Sequence, residues 1–283
     1  MNKKLMLATL IALATALVGA TISNSVGMNI TQAGTSQYIA IKVAFHIHTS
    51  YSNDPPYDIC TLTPAQVIDA YHACGYNAVA ITDYNSKSGS WAGIAEAQAE
   101  ASKLGMIVIP GEEYISQFPL GNGQVVWKHV TSLFLTVQLS NVYGYYKTNS
   151  IQGIFDQIHA QGGLGIIAHS WQLNGNVVCG TSNSPWWSWR NATCIDGWEI
   201  ENWGPGMNAD EIANVIGRGK IYIASHDFQS LPVPAQEYNV LYVTSFTLDG
   251  IKDALVNQRN VVYYYGQVFG SKTALNIFYG LSK

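Results

Sequence analysis

Beyond residue 36 the chain alternates short apolar runs with segments of helical periodicity. Residues 38–45, 77–81 and 106–109 are runs of strand length, and residues 64–74 and 91–104 between them carry the spacing of helices. Gly75 and Gly105 stand where those helices should stop. The first helix opens on Thr63-Pro64-Ala65-Gln66, which supplies a Thr N-cap, Pro at the first helical position and Gln for a capping box. Residues 125–137 read as a strand or a hairpin. The alternation resumes with a helix at 151–160, strands at 164–168 and 197–200, a helix at 209–217 and a strand at 221–224. A last unit has strands at 240–245 and 261–265 around a helix at 250–257. Apolar strands interleaved with helices predict an α/β fold with a parallel sheet under a helical layer. No shift in composition marks a second domain, so residues 37–283 are expected to form one.

The first residues change the expected compartment. Asn2-Lys3-Lys4 precedes an apolar run over 5–18, and Val18-Gly19-Ala20 offers small residues for cleavage. Residues 1–20 therefore read as a secretory signal peptide. The run also approaches spanning length, so an N-terminal anchor is the alternative. Residues 21–36 read as a polar linker. Either way the rest is expected outside the cytoplasm, with any membrane contact made through the N-terminal segment.

Export alters the reading of the four cysteines, because disulfides persist outside the cytosol. Cys179 and Cys194 flank a Trp-, Ser- and Asn-rich loop that a bridge would staple, worth about 3 kcal/mol in the entropy model. Cys60 and Cys74 are separated by the predicted helix, about 15 Å long over ten residues, whereas bridged Cα atoms lie within about 7 Å. Asn29-Ile30-Thr31 and Asn191-Ala192-Thr193 fit the glycosylation sequon. Charged residues make up only 11% of the chain, against about 25% in typical soluble proteins. With a net charge of −4, this argues against an extended nucleic-acid surface but leaves a compact nuclease site open, and a small-molecule substrate is the expected partner.

The candidate chemistry lies at the strand ends. His46 and His48 sit at i and i+2, on one face of the first strand. Asp83 ends the second strand, Glu113 follows Pro110-Gly111-Glu112 after the third, and His129 lies in the fourth. His169 closes the fifth, Glu199 and Glu201 fall in the next, and His226-Asp227 end the one after. In a β/α barrel, strand C-termini converge on one face, so these side chains would share a basin. Five of the seven histidines fall at such positions. Imidazoles with carboxylates suit Zn²⁺, Mn²⁺ or Fe²⁺, and a bridging carboxylate suits a pair of ions that activates a shared water.

In this order, His46-x-His48-Thr49-x-x-Ser52, Ile81-Thr82-Asp83, Pro110-Gly111-x-Glu113, His129, Ala168-His169 and Ser225-His226-Asp227 resemble the motifs of the PHP (polymerase and histidinol phosphatase) superfamily. The resemblance spans residues 46–227 and continues weakly to the end, in the manner of exported PHP-like metallohydrolases. It implies a distorted (β/α)7 TIM-like barrel and metal-dependent hydrolysis, foremost of phosphoesters. By position it implies His46 and His48 at a first metal, with Glu113 bridging to a second held by His129 and His169. Asp83, Glu113 and His226 are the catalytic candidates, with Asp83 read equally as a cap of the following turn or a support for a ligand. Where the family ends on Ser-Asp-x-His, this chain has Ser225-His226-Asp227-Phe228, so either His226 or Asp227 is the ligand.

Two departures bear on a third metal: Tyr84 stands where the family has His after Thr-Asp, and Phe228 stands at its final His. Asp54 remains as a third-site ligand candidate, and two divalent transition metals are expected. Trp187 and Arg190, in the Trp-rich segment 185–190, are candidates for substrate contact through aromatic faces and a cation. Two other readings stay open. One is a carboxylester, carbamate or amide metallohydrolase, although no bridging Lys stands out. The other is a surface protein that binds metal and carbohydrate with weak turnover.

Overall fold

The computed structural model describes residues 37–52, 59–84, 90–119, 125–139, 151–169, 173–174, 177–178, 194–202, 209–228, 230–233 and 236–281. Its elements are β1 (Ile39–Ile47), α1 (Pro64–Ala73), β2 (Ala78–Ile81), α2 (Ser90–Leu104), β3 (Ile107–Pro119), β4 (Val125–Leu133), α3 (Ile151–Ala160) and β5 (Leu164–Ile167). After the short pair β6 (Leu173–Asn174) and β7 (Val177–Val178) come β8 (Gly197–Asn202), α4 (Ala209–Gly217), β9 (Ile221–Phe228) and β10 (Glu237–Val243). The chain then forms α5 (Leu248–Val256), β11 (Asn260–Tyr264), β12 (Gln267–Gly270) and α6 (Lys272–Phe278). The expected capping box forms at α1: the Gln66 N–H donates to Thr63 Oγ1 at 3.3 Å and the Thr63 N–H to Gln66 Oε1 at 2.9 Å.

Seven strands close into a barrel in the order β1-β2-β3-β4-β5-β8-β9, because β9 also pairs with β1. The α/β barrel expected from the resemblance is present. The barrel sheet is parallel except at β4, which runs antiparallel to both β3 and β5 and makes a hairpin with β3. β3 runs on through Pro119, and β4 folds back on it in register from Gly111↔Leu133 to Pro119↔Val125. An antiparallel neighbour can be reached by a hairpin, whereas a parallel one needs a crossover. The reversal turns the N-terminal half of β4 toward the strand ends that carry the other candidates, and there the His129 carbonyl accepts from the Ala168 N–H at 3.1 Å. At Gly111 a Cβ would lie 2.3 Å from the Ser132 carbonyl oxygen, so only glycine fits between β3 and β4.

Ile41, Val43 and Phe45 of β1 share one apolar cluster with Ile109, Leu133, Ile166 and Ile223, and with Ile251 and Leu255 of α5. On the outer side, Ala44 and Ile47 pack with Val67 and Ile68 of α1 and Ile94 of α2. β1 has two partners on its other edge: its first five residues pair antiparallel with β10, while Phe45 and Ile47 pair with β9. Asn239 of β10, fully buried, bridges this fork. Its amide donates to Val43 O at 3.3 Å and Ala224 O at 2.8 Å, and its oxygen accepts from the Ala224 N–H at 2.9 Å.

β12 and α6 were not predicted, since Gln267–Gly270 is only four residues long and carries no sustained period. Cys60 is buried and Cys74 exposed, with α1 between them. Cys194 is buried with Ile195 and Trp198, and Cys179, with which it could pair, lies outside the described residues. Among the described residues no helix is long and apolar enough to cross a membrane. The N-terminal signal or anchor reading, and both sequons, concern residues outside them.

Candidate metal centre

The site lies where the strand ends converge, and unusual backbone builds it. Strict alternation along β1 would send His46 to the outer side with Ala44. Instead His46 has φ 58°, a left-handed conformation, and the pairing register with β2 and β9 shifts at that point. Phe45 and His46 therefore both turn inward, Ile47 returns to the outer layer, and His48 faces the site again. His169 (φ 27°) and Asp227 (φ 42°) also lie in left-handed regions that L-residues seldom adopt. Such conformations cost on the order of 1–3 kcal/mol each and persist where surrounding contacts impose them, which is common at functional sites.

Glu113 is the centre of the cluster and is fully buried. Its Oε2 lies 3.1 Å from His46 Nε2 and 3.1 Å from His48 Nε2. Its Oε1 lies 2.6 Å from His129 Nδ1 and 2.9 Å from His169 Nε2. Asp227 Oδ1 adds to the first side, 3.3 Å from His48 Nε2 and 3.6 Å from His46 Nε2. The structure thus gathers six sequence-predicted residues into two groups able to hold a metal ion. One is His46, His48, Glu113 and Asp227; the other is Glu113, His129 and His169. Within each group the potential ligand atoms lie within 4.8 Å of one another. These are the two such groups among the described residues.

A second ring of polar groups aims these ligands. His46 Nδ1–H donates to Glu199 Oε1 at 2.7 Å, which leaves Nε2 facing the centre. Thr131 Oγ1 donates to the same oxygen at 2.6 Å, and the His169 backbone N–H donates to Glu199 Oε2 at 2.6 Å. On the other side, His48 Nδ1 donates to Ser52 Oγ at 3.0 Å, and Ser52 donates to Asp83 Oδ1 at 2.8 Å. Asp83 also accepts from the Thr49 N–H and the Thr49 hydroxyl, each at 2.7 Å. Asp83 is therefore one step removed from the centre, holding Thr49 and Ser52 around His48. Sequence reasoning missed Thr131 entirely; a threonine two residues after His129, on the same face of β4, was the available signal.

His226 lies away from the two ligand groups. It faces the other side of β9, where Nε2–H donates to Glu237 O at 2.6 Å and Nδ1 accepts from Tyr71 Oη–H at 2.8 Å. Burial pushes its pKa down to about 4, so the ring is neutral there. The structure thus brings Asp227, and not His226, to the centre. Tyr84 is buried with its ring 4.5 Å from that of His48, centroid to centroid, where the resemblance implies a third-metal histidine. Asp54, Trp187 and Arg190 lie outside the described residues.

The donor set fits divalent transition ions. His46 Nε2, His48 Nε2 and Glu113 Oε2 are buried without hydrogen-bond partners, and all three point into the first group. Burial would raise the Glu113 pKa, but His46 and His129 beside it hold the carboxyl well below its usual range. Burial likewise opposes charge on His46, yet Glu199 and Glu113 raise its pKa well above the ordinary value. Among the described residues Glu113 and Asp227 form ion pairs with histidines alone. Buried carboxylates compensated only by imidazoles make a pocket that favours added positive charge.

No protein-family model and no curated protein matches the chain. Solved structures do. A two-domain protein from Bacteroides vulgatus, described as containing a predicted PHP-like metal-dependent phosphoesterase, superposes with a TM-score of 0.65 at 19% identity, covering 86% of this chain and 70% of that one. The lesion-specific endonuclease Q of Pyrococcus furiosus superposes with a TM-score of 0.52 at 14% identity, covering 77% of this chain and 56% of that one. Endonuclease Q bound to a 27-mer duplex with an abasic lesion at its active site gives a TM-score of 0.53 at 15% identity. The chain therefore shares the TIM-like α/β barrel fold of these structures.

Proposed function

We propose that this chain is a metal-dependent hydrolase acting on phosphoesters of small molecules. One observation carries the reading: a single buried carboxylate, Glu113, presents one oxygen to His46 and His48 and the other to His129 and His169. That is the arrangement required to share one bridging ligand between two ions. His46, His48, Glu113 and Asp227 would hold the first, and Glu113, His129 and His169 the second, with Zn²⁺, Mn²⁺ or Fe²⁺ matching the donors. When bound, two such ions lower the pKa of a shared water and stabilise charge on a phosphoryl oxygen.

The protein's own contribution is orientation and exclusion of solvent. Glu199 and Ser52 fix the ring nitrogens of His46 and His48 that face inward. The side chains of His129 and Asp227 keep 17% and 14% of their surface exposed while the other ligands are nearly sealed, so substrate would arrive on their side. Likeness to a structure described as containing a predicted PHP-like metal-dependent phosphoesterase supports phosphoester cleavage. The basic and apolar N-terminus supports action outside the cytoplasm, as an exported or anchored protein.

The test is elemental analysis of protein purified without chelator, joined to a screen of phosphomonoesters, phosphodiesters and carboxylesters. Two transition ions per chain and phosphoester turnover lost in Glu113→Gln are expected. Turnover confined to carboxylesters or amides would sink the phosphoester reading, and protein that takes up no ion would sink the hydrolase reading.

A further inference from the structure

We infer that Glu199 is a positioning residue that couples the two half-sites, setting the His46 ring nitrogen and the His169 backbone at the same time. The inference rests on the two-ion reading above and concerns a residue outside both ligand groups. Glu199 is fully buried in β8, between the ligands of β1 and β5. Its Oε1 takes the Nδ1–H of His46, a ligand of the first group, and the hydroxyl of Thr131. Its Oε2 takes the backbone N–H of His169, a ligand of the second group, whose φ of 27° needs an outside contact to hold it.

The chemistry requires a carboxylate. The groups facing the two oxygens are donors, and an ionised carboxylate is the side chain that offers acceptors alone at both positions. Glutamine has nearly the same shape but one NH₂. If the amide oxygen serves His46 and Thr131, the NH₂ meets the His169 N–H donor to donor. If it turns round, the NH₂ meets His46 Nδ1, which must then become an acceptor. The His46 proton moves to Nε2, the nitrogen that faces Glu113, and that nitrogen can no longer bind a metal. Either orientation damages one half-site directly, and Glu113 transmits the loss to the other because it belongs to both.

The experiment is a Zn²⁺ titration of metal-free wild type and Glu199→Gln against a chromophoric chelator, with thermal unfolding of both metal-free proteins alongside. Wild type should bind two ions, and the variant should bind both about 10–100-fold more weakly, the usual effect of losing an outer-shell partner. Unchanged affinities would overturn the role of Glu199, and a loss confined to one binding step would overturn the coupling. A lower unfolding midpoint with unchanged affinity would assign Glu199 to structure alone and also overturn it. Wild type that binds no Zn²⁺ would remove the metal reading together with this one. Should Glu199→Gln fail to fold, side-chain ¹H–¹⁵N spectra of Zn²⁺-loaded wild type decide the matter. A proton on His46 Nδ1 is expected, and its absence would overturn the inference.

Discussion

His226 and Asp227 are neighbours in the chain and face opposite sides of the barrel wall. His226 bonds to Tyr71 and the Glu237 carbonyl on the outer side, while Asp227, turned by its φ of 42°, lies 3.3 Å from His48 on the inner side. One residue fastens the end of β9 and the next serves the centre.

The pair should therefore separate under mutation. Asp227→Asn should weaken the first ion and leave thermal stability of the metal-free protein almost unchanged. His226→Phe should keep both ions but lose about 1–3 kcal/mol of stability, since it strands two buried polar partners. Metal analysis and urea unfolding of the two variants check this, and loss of metal in His226→Phe alone would reverse the assignment.

Removing the shared ligand should be more damaging than removing any other. Glu113→Gln is expected to lower occupancy of both groups, and by more than the about 10–100-fold seen on loss of outer-shell partners. Zn²⁺ titration reads this directly; a variant still holding one ion at wild-type affinity would show that the bridge is not shared.

Asn239 predicts a purely structural defect. It bonds to the backbones of both β1 and β9 where the two strands part. Asn239→Leu leaves those groups unsatisfied in the core and should cost about 2–4 kcal/mol. Urea unfolding measures it, and the folded fraction should retain its metal.

Chelation should destabilise the chain without unfolding it, because Ile109, Leu133 and the rest of the interior cluster do not depend on an ion. Free Zn²⁺ at about 1,000 times Kd for one site would restore about 4 kcal/mol by mass action. Thermal unfolding in chelator and then in excess Zn²⁺ gives the difference, and equal midpoints would argue against native-state metal binding.

The order of elements was legible because period and punctuation agreed. Thr63, Pro64 and Gln66 marked the start of α1, and the strands ending near His46, Asp83 and His169 were apolar enough to stand out. The antiparallel course of β4 was left open, as a strand or a hairpin, since a strand's direction is set by its connection and partners and leaves no mark on its composition. The choice between His226 and Asp227 was hidden for a related reason. Alternation assigns faces along a regular strand, and the left-handed backbone at Asp227 and at His46 breaks the count. The role of Asp83 stayed open for a third reason: a carboxylate at a strand end has the same sequence signature whether it meets a metal or a threonine. Glu199 was visible as a strand-end acid, but its importance lies in partners from β1, β4 and β5 that only the folded chain assembles.

The fork at β1 has a consequence for the order of events in folding. β1 meets β9 and β10 across roughly 180–200 residues of chain, so these contacts belong to the slow, non-local class. The first group of ligands spans the same seam: His46 and His48 come from β1, and Asp227 comes from β9. An ion can find all its ligands there only after the barrel has closed. Metal uptake should thus trail the last pairing step, and a chain stalled before closure would pass through a metal-rich solution without capturing its ions.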